Sequence, residues 1–118
     1  MRQIVIVSFI ITIAVVAQVN ADCIQNQYGE VFCGRGKCQM NRYGKVFCAQ
    51  RYGDIRMNRY GDILCGTGHC KEDYRGDVWC SVEEDGSANI DMYGKVKCFG
   101  GCETGNLKLC DEGQQAFK

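Results

Sequence analysis

Ten cysteines dominate the side chains of this 118-residue chain that can do chemistry: Cys23, Cys33, Cys38, Cys48, Cys65, Cys70, Cys80, Cys98, Cys102 and Cys110. Reduced, they would offer thiolates to zinc or copper; oxidised, they would cross-link the fold. Cys98-Phe-Gly-Gly-Cys102 comes nearest to ligand spacing, but no Cys-x-x-Cys occurs. A zinc cluster, a thioredoxin-like pair and a c-type haem attachment therefore all lack their motif. His69 is the single histidine, so a His-dependent triad would rest on it alone. Ser81 and Ser87 sit in no recognisable nucleophile turn. Glu83 and Glu84 are adjacent, with nothing to drive their proton affinities apart. Arg75-Gly76-Asp77 spells an adhesion tripeptide, yet Gly76 and Asp77 are ordinary members of the repeat described below. The expectation is a non-enzymatic protein with no catalytic residue, no metal site and no cofactor. The alternative reading is a metal-binding or thiol-buffering protein.

The compartment follows from the N-terminus. Arg2 precedes an apolar run from Ile4 to Ala17, and Val19 and Ala21 are small enough for cleavage before Asp22. The run is shorter than the roughly 20 residues that cross a bilayer, so a signal peptide over 1–21 is expected and no membrane span after its removal. An exported chain rich in cysteine reads as disulfide-bonded, secreted or periplasmic. Removing Arg2 leaves 13 basic against 14 acidic residues. That balance gives no basic stripe, and nucleic acid is not an expected partner.

Residues 22–118 are organised by an eleven-residue unit at 23–33, 38–48, 55–65, 70–80 and 88–98, followed by a tail at 99–118. In Cys38-Gln-Met-Asn-Arg-Tyr-Gly-Lys-Val-Phe-Cys48, Asn41 suits the start of a type I turn. Gly44 suits the left-handed position after it. The resulting hairpin pairs Asn41 with Lys45, Met40 with Val46, Gln39 with Phe47 and Cys38 with Cys48. The cysteines then face each other at a non-hydrogen-bonded position, close enough to bond. Cys23–Cys33 and Cys70–Cys80 follow the same arithmetic. Val31, Val46, Ile63, Val78 and Val96 share the cystine face, as β-branched residues suit strands. The opposite face carries Phe32, Phe47, Leu64, Trp79 and finally Lys97, a wetter last unit of the kind that ends an array.

Tyr28, Tyr43, Tyr52, Tyr60 and Tyr93 directly precede a glycine, and Tyr74 does so after Arg75. Tyr28, Tyr43, Tyr60 and Tyr93 form a possible contact surface, a row of rings able to meet a protein, glycan or surface partner. Between units, Gly34–Lys37 and Gly66–His69 are matching four-residue linkers that leave Cys33–Cys38 and Cys65–Cys70 as rival bridges. The acidic linker 81–87 is expected to be the most mobile. Ile55 and Ala88 replace the first cysteine of two units. A Gly105-Asn106 turn suggests a tail hairpin closed by Cys102–Cys110, leaving Cys65–Cys98 as a long-range bridge.

The units Met40-Asn-Arg-Tyr-Gly-Lys-Val-Phe-Cys48 and Asp91-Met-Tyr-Gly-Lys-Val-Lys-Cys-Phe-Gly-Gly-Cys102 resemble uncharacterised small exported bacterial cysteine-rich proteins with repeated Arg-Tyr-Gly-Lys-Val-x-Cys elements. The chain departs from them at Tyr74-Arg75-Gly76. The resemblance implies a secreted or periplasmic location and brings no activity. The fold expected is small, all-β and disulfide-rich, an array of short β-hairpins, serving an exported structural or binding role.

Overall fold

Five turns of one kind set the architecture. In each, an Asn or Asp side chain accepts two amides, as Asn41 Oδ1 does from Tyr43 at 2.9 Å and Lys45 at 3.0 Å. The Gly44 amide closes the turn on the Asn41 carbonyl at 3.1 Å. Gly44 itself lies at φ 84°, with Gly29, Gly61, Gly76 and Gly94 between 79° and 83° at the same place, a region in which any side chain is strained. Each turn joins two short antiparallel strands. The computed structural model describes residues 22–116; the signal peptide expected at 1–21 lies outside them.

The hairpins are β1 (Asp22–Gln25) with β2 (Val31–Gly34), β3 (Cys38–Met40) with β4 (Val46–Ala49) and β5 (Asp54–Met57) with β6 (Ile63–Gly66). They continue with β7 (Cys70–Glu72) and β8 (Val78–Ser81), then β9 (Ala88–Ile90) and β10 (Val96–Cys98). The register is the one the repeat dictates: Cys38 opposite Cys48, Gln39 opposite Phe47, Met40 opposite Val46. No α-helix occurs among the described residues, and none is long and apolar enough to cross a membrane.

The hairpins stack face on face. Val46, Ile63 and Val78 of the three central hairpins are buried, while Val31 of the first hairpin is 40% exposed. Phe47 packs on Ile55, Ile63 and Cys65, and Leu64 packs on Cys70, Val78 and Cys80. Phe47 and Leu64 thus each cover the β-branched face of the hairpin that follows. Lys97 is exposed on the last. The short linkers turn closely because they contain Gly34 and Gly66, where a Cβ would run into Cys48 and Cys80 respectively.

The stack repeats in pairs. Residues of the first two hairpins recur 32 positions on: Asp22 and Asp54, Gly34 and Gly66, Cys38 and Cys70, Cys48 and Cys80. One functionless-looking detail shows how close the match is. Asp22 Oδ2 accepts the Cys38 amide at 3.3 Å, and Asp54 Oδ2 accepts the Cys70 amide at 2.9 Å.

The tail corrects the expected hairpin. It runs back along the stack as a strap, adding β11 (Cys102–Thr104) to β8, β12 (Cys110–Glu112) to β4 and β13 (Gln114–Gln115) to β2. Between them Asn106 bridges Cys65 through two backbone hydrogen bonds of 2.9 and 3.2 Å, followed by a 3-10 turn at Leu107–Leu109. Gly105 and Asn106 make no tail hairpin because their backbone is engaged by Val78 and Cys65.

The bridges change accordingly. Cys23–Cys33, Cys38–Cys48 and Cys70–Cys80 lock their own hairpins. In place of the expected Cys102–Cys110 and Cys65–Cys98, the structure has Cys65–Cys110 and Cys98–Cys102. Both new bridges obey one rule: a hairpin lacking its first cysteine is fastened to the strap by its second. The rival pairs Cys33–Cys38 and Cys65–Cys70 do not form. The linker 81–87, expected to be mobile, is pinned instead. Ser81 is fully buried, its Oγ donating to the Phe99 carbonyl at 2.6 Å and accepting the Glu83 amide at 3.1 Å.

Candidate functional site

Because the five turns are alike and stacked, their third residues emerge along one edge of the molecule. Tyr28, Tyr43, Tyr60 and Tyr93 hold that place and are 57–78% exposed. In the fourth turn the order is reversed, so Tyr74 stands second and Arg75 third. The second position lies over the glycine of the following turn: Gln27 over Gly44, Arg42 over Gly61, Arg59 over Gly76 and Tyr74 over Gly94. Tyr74 therefore spaces two tips where the others stand out from one. Tyr52 departs further. It belongs to the linker turn at Gln50–Gly53, with φ 66°, and is no hairpin tip.

The third, fourth and fifth tips are tied to one another. The Arg59 amide donates to the Gly76 carbonyl at 3.3 Å and the Tyr74 amide to the Gly94 carbonyl at 2.9 Å. Arg59 also reaches the Arg75 carbonyl through Nη1 at 2.7 Å. Basic residues accompany the rings: Arg42 lies 5.3 Å from the centre of Tyr43, Arg59 4.8 Å from Tyr60 and Arg75 5.3 Å from Tyr74. Mixed charge at the turns is expected from the sequence, and these cations supply its basic part beside the rings. Their signal was present as a basic residue next to three of the tip tyrosines.

Below the tips lie two clefts one module apart. The larger, about 400 Å³, is bordered by Asp73, Tyr74, Arg75, Trp79, Lys95 and Lys97. The smaller, about 280 Å³, has Phe47 where the first has Trp79, with Asn41, Arg42, Tyr43 and Leu64 around it. Trp79 is oriented by its Nε1, which donates to Asp73 Oδ2 at 3.0 Å. Partial desolvation works upward on Asp73. The Trp79 indole, the Asp77 and Arg75 amides and the Arg75 charge outweigh it and hold the carboxyl below its ordinary 3.8. Asp91 is likewise held down, first by the Lys95 amide and, against a desolvation that raises it, by the Tyr93 amide and the Lys97 and Lys95 charges.

The other candidates separate. His69 Nε2 lies 3.1 Å from Asp85 Oδ1, and the buried Ser81 hydroxyl is 2.6 Å from the Phe99 carbonyl. Glu83 and Glu84 are exposed. Arg75-Gly76-Asp77 is an ordinary tip: the Asp77 amide is held by Asp73, and Arg75 Nε donates to the Tyr74 hydroxyl at 2.9 Å. Among the described residues no three His, Cys, Asp or Glu side chains converge as metal ligands. All ten cysteines are in disulfides, so this oxidised form offers no thiolate. No family model, curated protein or solved structure matches the chain.

Proposed function

We propose that the protein is an exported, non-enzymatic binding scaffold whose row of hairpin tips docks on a partner of the cell envelope or extracellular space. The observation that carries this reading is the presentation of Tyr28, Tyr43, Tyr60 and Tyr93 from equivalent turns, three neighbouring tips also carrying an arginine. Aromatic rings presented from stacked turns supply contact area at small entropic cost, and the guanidinium groups supply directional polar contacts. A rigid row of like groups favours a partner that is itself extended, since several weak contacts then engage at once. Disulfides make such a row durable outside the cytosol.

The test is binding of the labelled oxidised protein to insoluble cell-envelope material, beside a variant with Tyr28, Tyr43, Tyr60 and Tyr93 all changed to Ser. The exposed rings contribute little to the core, so the variant should keep its thermal midpoint within about 3 °C and lose at least tenfold in affinity. Equal retention of both proteins would refute the tip face as the docking surface.

A further inference from the structure

At the base of the hairpins, away from the tips, Asp54 is 2% exposed. Its two oxygens are engaged by the Ile55 amide at 2.8 Å and the Cys70 amide at 2.9 Å. Lys37 Nζ stands 3.8 Å from one oxygen and Arg56 Nε 3.7 Å from the other, both side chains remaining over 40% exposed. The Arg56 Nε atom is itself buried and has no hydrogen-bond partner. A pocket of about 230 Å³ opens here, bordered by Lys37, Asp54, Arg56, His69, Lys71 and Ser87. Three cations thus border one buried carboxylate, each of whose oxygens already accepts a backbone amide. Their donors exceed anything Asp54 can accept.

The repeat distinguishes what the fold needs from what has been added. Asp22, the counterpart of Asp54, keeps the same task of capping the amide that follows a short linker. The counterparts of Arg56 and Lys71, however, are Ile24 and Gln39. The first module builds the same hairpins without those cations, around an Asp22 that is only half-buried.

We infer that this pocket is a binding site for a tetrahedral oxyanion, a sulfate or phosphate group, either free or carried as an ester on a polymer. Asp54 fixes the floor. Arg56 and Lys37 border the pocket with side chains over 40% exposed, Lys71 adds charge to its lining, and His69, already beside Asp85, offers a further ring nitrogen. Guanidinium and ammonium groups are the usual partners of such oxygens. The site is independent of the tip face, and neither needs the other.

The repeat also supplies the control. Amide NMR shifts of the oxidised protein are followed during titration with sodium sulfate, sodium phosphate and dextran sulfate, against sodium chloride at equal ionic strength. Saturable shifts centred on Arg56, Lys71 and Ser87 are expected at about millimolar free anion. The double variant Arg56→Ile, Lys71→Gln carries what the first module carries there. It should fold as before and bind at least tenfold more weakly. Should it fail to fold, Lys71→Gln alone should weaken binding about threefold. Response to the simple anions assigns the site to the group itself; response to dextran sulfate only, still lost in the variant, assigns it to a polymer-borne ester. Absence of saturable shifts with all three probes, or identical titrations of folded variant and parent, overturns the site.

Discussion

Asp73 and Asp91 occupy a turn position that Asn26, Asn41 and Asn58 fill elsewhere, and the difference has a pH signature. A carboxylate whose folded value is depressed contributes stability that is present above its unfolded value and lost as pH falls through the folded one. Both residues are held below 3.8, so the acid limb of the stability curve should steepen below about pH 4. Changing both to Asn keeps a turn that three other hairpins already use. Urea midpoints between pH 5 and 2 should then fall less in the variant than in the parent; parallel curves would show the two carboxylates to be idle. At this scale the sequence was readable, because each turn is local: Asn or Asp first, glycine fourth, and everything that decides the geometry within five residues. The exceptions are instructive. Tyr52 also precedes a glycine, but it falls between the units at 38–48 and 55–65, and its turn is a linker turn as that spacing implies.

At the scale of elements, the three hairpin locks close loops of sequence separation 10, whereas Cys65–Cys110 spans 45. On chain-entropy grounds the hairpin locks contribute about 3 kcal/mol each and the long bridge about 4 kcal/mol. Replacing Cys65 and Cys110 by Ser should therefore lower the unfolding free energy by about 1 kcal/mol more than replacing Cys38 and Cys48, as read from denaturant titration. The reverse order would mean that the strap adds no constraint to the unfolded chain. The strap was the element least legible beforehand. Gly105-Asn106 is a strong local turn signal, and the competing partners, Val78 and Cys65, lie far away in sequence. A subtler signal did exist. Cys102-Glu-Thr-Gly105 and Cys110-Asp-Glu-Gly113 are eight residues apart, two strap strands that meet equivalent hairpins and place one cysteine beside each hairpin that lacks its own.

For the molecule as a whole, the core is a single file of side chains. Val46, Ile63, Val78 and the central cystines are the buried series, and each aliphatic contributes about 1.5–3 kcal/mol. Protection should follow position in the file. Amides of β4, β6 and β8 should exchange with deuterium at least about tenfold more slowly than those of β1 and β9. Uniform protection would instead indicate that the stack opens only as one unit. The all-β, hairpin-built character was legible from the repeat, since turn chemistry and alternation agree in every unit. The stacking order was not, because faces that alternate within a hairpin do not name the hairpin they will meet.

The strap also governs how such a chain can grow. Its register returns to the same lateral position after eight residues, Glu103 opposite Cys80 and Asp111 opposite Cys48. Meanwhile the stack descends two layers, and a 3-10 turn at Leu107–Leu109 lies between the two strap strands. A gene duplicating 32 residues of hairpins would thus outrun its own fastening unless eight more residues were duplicated at the far end. Lengthening is a paired event at two distant places in the gene, in a ratio of four to one.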